Sequence, residues 1–279
     1  MALEKWIVTG PKVIDLELVR SLKVGLIAGQ IDVIGHDEPG ARVEVHSVTG
    51  KELKISIDGD HLEIDHAQLR WDNFIEVFTS WRGNARVDIS IMVPRDVALK
   101  FGVVSASALI SGLNTNARVS TVNGDVVVDA ISGDLDLNSV SGEISIRDHI
   151  GRINAHTVSG DITAAGDIRR FSSDGVSGEV FIDTTGTPDE IQNNTVSGDL
   201  TVRFDPDVSA RYNINTVSGT LQLGDSTIRG LRGGGYNGTT GALDGSWTEF
   251  RANSVSGNIT VIARQPVRVD VDADAGASA

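Results

Sequence analysis

Along most of this chain apolar residues recur at every second position, and seldom with the spacing of a helix. In Asn194–Phe204, NTVSGDLTVRF, Val196, Gly198, Leu200 and Val202 alternate with Ser197, Asp199 and Thr201. A period of two predicts a strand with one buried face. The phrase returns as STVNGDVVVDA, AISGDLDLNSV, NSVSGEISIRD, HTVSGDITAAG, DGVSGEVFIDT, NTVSGTLQLGD and NSVSGNITVIA, all between Ser120 and Ala263.

The glycine of each phrase fixes the repeat length. It stands at Gly124, Gly133, Gly142, Gly160, Gly178, Gly198, Gly219 and Gly257, so the gaps are 9, 9, 18, 18, 20, 21 and 38. Gly151 fills the half-step between Gly142 and Gly160. A unit of about 19 residues in two similar halves accounts for these gaps, the last being two units long. The expected fold is all-β: a single-stranded β-solenoid, β-helix-like, whose coils have two opposite walls. One wall is marked by Gly124, Gly142 and Gly160, the other by Gly133 and Gly151. Stacking then puts Val122, Val140, Val158, Val176, Val196 and Val217 in one column, expected on the inside. Glycine in such a column permits close backbone approach or a corner that a side chain would obstruct. A lone coil buries too few aliphatics to offset the entropy of ordering its backbone, so the unit is stable only within a stack. The stretch Gly230 to Gly245, GLRGGGYNGTTGALDG, is expected to be a coil whose phrase has been spoiled near Gly238.

Before Phe101 the alternation continues less regularly, and LIAGQIDVIG places Ile27, Gly29, Ile31 and Val33 as a coil would. Residues 1–100 are therefore expected to be a β-rich leading region that runs into repeats over 101–264, followed by a tail, 265–279, that frays at its acidic end. Within the leading region, the segment 67–84 carries Trp71, Phe74, Phe78 and Trp81 at spacings 3, 4 and 3. That spacing predicts one stripe of a short helix ended by Gly83. The stripe serves as a cap over the open end of the solenoid or, alternatively, as a partner-binding face.

The phrase with its glycine, its spacing of about 19 residues, the β-rich leader and the passage VDISIMVPRDVALKFGVVSASALISG together resemble the bacterial "putative adhesin" family, a domain of unknown function. The likeness spans roughly Leu16 to Ile262. It implies a right-handed β-solenoid-like fold and a binding or cell-envelope-associated role, with no catalytic residues to carry across.

Composition narrows the chemistry. There is no cysteine, hence no disulfide, thiolate metal site or cysteine nucleophile. The net charge of −14, from 38 acidic against 24 basic residues, disfavours binding to nucleic acid or to an anionic membrane. No run approaches the roughly 20 apolar residues of a membrane span, and the start lacks a basic residue cluster followed by an apolar run. A cytoplasmic location is expected.

The best constellation is the acidic column just after the glycines: Asp125, Glu143, Asp161, Glu179 and Asp199, continued by Thr220 and Asn258. Stacked carboxylates offer oxygens to a hard cation such as Ca²⁺. Neighbours about 4.8 Å apart in water repel by only about 1 kcal/mol, so solvated carboxylates are tolerable without metal, and the structural reading is preferred. No cofactor is expected. HLEIDH puts His61, Glu63 and Asp65 on one strand face, again better read as a hydrated face than as ligands; His36, His46, His149 and His156 stand alone. GGGYNG, Gly233 to Gly238, lacks the strand, helix and acidic residue of a dinucleotide site. Ser141, Ser159, Ser177, Ser197, Ser218 and Ser256 recur at one step of the repeat, whereas a nucleophile is needed once.

These observations predict a non-enzymatic, adhesin-like scaffold or binding module for an unidentified protein or glycan. The alternatives are a self-assembling cytoplasmic filament and homo-oligomer, a polysaccharide-active enzyme using Arg169, Arg170, Arg203 or Arg211, and an acidic decoy for nucleic-acid-binding proteins.

Overall fold

A computed structural model describes residues 3–66, 85–224, 226–229 and 235–265. The aromatic segment 67–84 and the tail beyond 265 lie outside the described residues. No helix occurs among the described residues.

The strands are β1 (Glu4–Val8), β2 (Lys12–Leu16), β3 (Ser21–His36), β4 (Ala41–Thr49), β5 (Leu53–Asp58), β6 (His61–His66), β7 (Arg86–Pro94) and β8 (Ala98–Ser111) in the leading part. The regular repeats give β9 (Ala117–Thr121), β10 (Val126–Asp129), β11 (Leu135–Ser139), β12 (Ile144–Thr157), β13 (Ile162–Gly175), β14 (Val180–Thr184), β15 (Glu190–Thr195) and β16 (Leu200–Phe204). The last part holds β17 (Ala210–Ser218), β18 (Thr220–Leu223), β19 (Ser226–Arg229), β20 (Gly235–Thr240), β21 (Thr248–Ser256) and β22 (Ile259–Ala263).

Pairing divides these strands between two walls, with the long strands β3, β8, β12 and β13 bending from one wall to the other. The first wall runs β1, β5, β6, β3, β8, β9, β11, β12, β13, β15, β21, β17, β20. The second runs β2, β4, β7, β3, β8, β10, β12, β13, β14, β16, β22, β18, β19. Within the stack the ladders are parallel and successive coils match residue for residue, as in Val126 against Ile144 and Ile144 against Ile162. This is the expected β-solenoid. One continuous apolar cluster fills it from Val8 to Val261, with Phe101, Phe171 and Phe250 fully buried.

The glycines superpose layer upon layer, but at the corners between walls, not on the walls themselves. A methyl group on Gly142 would lie 2.1 Å from the Gly124 carbonyl oxygen, and one on Gly151 would lie 2.1 Å from that of Gly133. At these positions only hydrogen fits between adjacent backbones. Gly151 also has φ of 140°, and the same corner uses Ala130 and Asp148 at φ of 50° and 48°.

The order of layers departs from the order of the sequence at both ends. Gly257 sits against Gly198, and Gly219 against Gly257. The coil β21–β22 is therefore inserted between β15–β16 and β17–β18. The 38-residue gap is thus not two successive coils, and the stretch around Gly238 is not a spoiled one. Instead β19 and β20 pair antiparallel with β18 and β17. They close the outer edge, so the returning chain has only the inner edge of β17–β18 to pair with. The other end mirrors this: β3 lies between β8 and the β6–β7 layer, which is covered antiparallel by β5 and β4 and then by β1 and β2. Antiparallel covers at both ends replace bare parallel coils.

Candidate binding surface

The corner written Thr/Ser-Val-Ser-Gly is built from hydroxyl groups. Thr121, Ser139 and Thr157 end their strands pointing inward and are buried. Each hydroxyl donates to the carbonyl of the glycine three residues on and accepts from its N–H: Thr121 with Gly124 at 2.9 and 3.0 Å, Thr157 with Gly160 at 3.2 and 2.9 Å. The residue that follows takes the next, outward step of the strand alternation. Val140, Val158, Val176, Val196, Val255 and Val217 are 36% to 56% exposed, whereas Ile27, Val104 and Val122 of the same column are buried. Of the expected inward column, Val122 is buried but Val140, Val158, Val176, Val196 and Val217 face outward, because the alternation changes phase at the corner. Counted from Leu135 and Leu137, the inward step falls on Ser139, not on Val140.

The serines at Ser141, Ser159, Ser177 and Ser218 stitch coils together. Ser141 Oγ donates to Val122 O at 3.0 Å, Ser159 Oγ to Val140 O at 3.1 Å and Ser177 Oγ to Val158 O at 3.4 Å. The acidic column does the same with backbone N–H donors. Asp125 Oδ1 accepts from Glu143 N at 3.3 Å, Asp161 Oδ1 from Glu179 N at 2.8 Å and Asp199 Oδ1 from Asn258 N at 2.7 Å. Asn258 Oδ1 continues the series by accepting from Thr220 N at 3.1 Å. The layer exchange thus places Asn258 before Thr220 in this column.

On the first-wall side of the valines runs a second polar column: Asn138, His156, Asp174, Asn194, Asn253 and Asn215. Its amides are linked head to tail: Asn215 Nδ2 donates to Asn253 Oδ1 at 3.0 Å, Asn253 Nδ2 to Asn194 Oδ1 at 2.8 Å and Asn194 Nδ2 to Asp174 Oδ1 at 2.8 Å. His156 Nδ1 lies 3.6 Å from Asp174. Sequence reasoning passed over this column; its signal was an asparagine, histidine or aspartate two residues before each valine. Between amides and valines lies an open groove of about 450 Å³, lined among others by Asp174, Asn194, Val196, Asn215, Val217 and Val255.

The other candidates resolve into structural pairs. On the HLEIDH face Lys23 meets Glu63 at 2.6 Å, holding its carboxyl below the usual range, and Lys54 lies 3.9 Å from Asp65, whose pKa burial raises. His61 Nδ1 bonds Ser21 Oγ. Among the described residues no three His, Asp or Glu side chains converge as metal ligands. Arg170 pairs with Glu190 at 3.3 Å, and Arg211 lies 3.8 Å from Glu249 and over the Trp247 ring. Arg203 and Arg264 clamp Asp183, Arg203 being the stronger cause of its lowered pKa. Arg169 is exposed on the rim of the opposite corner groove. Gly235–Gly238 of the glycine-rich run lie in the antiparallel edge strand β20, not in a phosphate loop. Two histidines are buried: His66, with its pKa pushed down to about 4 by burial, and His149, also pushed down by burial. His149 occupies a corner position in the column of Leu113 and Ile131.

Residues 27–262 match the family described as Toastrack DUF4097. The chain belongs to the Toastrack DUF4097 family. No curated protein matches it. Among solved structures, this Toastrack chain is similar to a "putative lipid binding protein" from Parabacteroides distasonis, at 13% identity and TM-score 0.48 over 91% of this chain and 97% of that one. It is similar also to a "putative adhesin" from Bacteroides fragilis, at 11% identity and TM-score 0.43 over 91% and 98%. A second "putative adhesin", from Parabacteroides distasonis, shares 13% identity and TM-score 0.43 over 94% and 97%.

Proposed function

We propose that this protein is a non-catalytic, adhesin-like scaffold or binding module that meets another protein or a polysaccharide along its valine-bearing flank. One observation carries the reading: most of the repeating serines and the aspartates of the acidic column serve inter-coil bonds, while Val140, Val158, Val176, Val196, Val255 and Val217 beside them are exposed. Exposed apolar patches of this regularity mark contact surfaces. The amide column supplies donors and acceptors beside the apolar strip, the mixture expected of a recognition surface.

A screen against protein and glycan arrays, comparing wild type with Val176→Lys/Val196→Lys, tests this. Binding that the substitutions abolish is the expected result. Binding indifferent to them, or turnover of a screened substrate, overturns it. End-to-end filament growth has less support, since both axial ends carry antiparallel strands, with Lys5 and Lys12 on the outermost β1 and β2.

A further inference from the structure

Resting on that reading of the flank, we propose that its partner is a second copy of this chain, joined valine column to valine column about a two-fold axis. Three features argue for it. The first is pitch. Exposed valines recur once per coil, at the roughly 4.8 Å spacing of paired strands, whereas same-face residues of an extended peptide recur at about 6.6 Å. Another solenoid of the same pitch meets every valine along the strip, from Val140 through Val158, Val176, Val196 and Val255 to Val217.

The second is size. Six coils at about 4.8 Å give a strip about 29 Å long, and the five residue steps from Asn194 to Asp199 give a width of at most about 17 Å. Two such strips bury at most about 1,000 Å² together, the area at which specific interfaces begin. Self-complementary apolar strips also favour isologous pairing.

The third is charge. The strip is bordered by the amide column on one side and the acidic column on the other. With the solenoids parallel, the two-fold axis sets one column against the other: Asn194 meets Asp199 and His156 meets Asp161, while only Asp174 and Glu179 oppose as carboxylates. With the solenoids antiparallel, like columns meet in reverse order: Asp161 meets Asn258 and Glu143 meets Thr220, while only Glu179 and Asp199 oppose. Either arrangement leaves a single kind of acid-to-acid contact on a protein of net charge −14.

The absence of native cysteine makes the test direct. Sedimentation of the full chain over a wide concentration range shows a dimer, and Val176→Lys/Val196→Lys weakens self-association by at least about a hundredfold, with the circular dichroism spectrum unchanged. Val176→Cys/Val196→Cys cross-links efficiently on mild oxidation in either orientation, whereas Ile150→Cys, at the opposite corner and 50% exposed, does not. A wild-type monomer at every concentration, a dimer that the lysine variant keeps, or equal cross-linking at both corners overturns the proposal. A monomer that still loses array binding on the lysine substitutions refutes the dimer alone; a monomer whose array binding ignores them refutes the flank as a contact surface too.

Discussion

Replacing Gly142 by alanine probes the stack at its tightest point. The added methyl would sit 2.1 Å from the Gly124 carbonyl oxygen and 2.9 Å from its carbon. Comfortable contact needs about 3.5 Å, so the two coils must part by more than about 1 Å at this corner. Such a gap breaks the backbone bonds Ser141 N to Val122 O, 2.9 Å, and Val140 N to Thr121 O, 3.2 Å, and disturbs the Ser139 hydroxyl bracket on Gly142. At about 1 kcal/mol for each lost bond plus 1–3 kcal/mol for core strain, the expected loss is about 3–5 kcal/mol. Urea unfolding followed by circular dichroism measures it. Gly10→Ala and Gly245→Ala, where a methyl meets nothing within 4 Å, are the controls and change stability by less than about 0.5 kcal/mol. If Gly142→Ala costs under about 1 kcal/mol, close stacking of the corner glycines is not what the repeat conserves space for, and the reasoning fails.

Other consequences are equally direct. Thr157→Val removes a buried hydroxyl that both donates to and accepts from Gly160, and is expected to lower stability by about 1–2 kcal/mol in urea unfolding, whereas Ser159→Ala on the outside costs less. Because the folded-state pKa of His66 is near 4, below the 6.5 of an unfolded chain, the unfolded state takes up the proton first. Stability is therefore full above about pH 6.5 and falls by about 3 kcal/mol as pH drops to about 4; His66→Gln flattens this part of an unfolding-versus-pH profile. His149 is shifted in the same direction, and His149→Leu, matching Leu113 and Ile131, reduces the acid sensitivity further. Ending the chain at residue 247 removes the layer between β15–β16 and β17–β18; hydrogen exchange then shows Ala210–Ser218 losing protection along with the deleted coil, an effect absent if layers followed sequence order.

The sequence by itself determined the architecture. A period of two, glycines at multiples of about nine residues and aliphatics such as Leu135, Leu137, Ile144 and Ile146 at fixed steps leave a stacked coil as the arrangement that buries them all. The masonry role of the serines was legible for the same reason: a column cannot be a single nucleophile. The tertiary structure alone decided which way the valines face and in what order the coils lie. Periodicity is read along a straight strand, but Thr157 and Gly160 both face inward three residues apart, so the phase changes at the corner and Val158, in step with the strand before it, lies outside. Layer order is a question of which sheet edge is still free when a segment returns, and the spacing of similar repeats carries no mark of it. The edge left open by β19 and β20 receives β21 and β22, and pairs such as Arg251 with Glu190 and Arg264 with Asp205 hold them there.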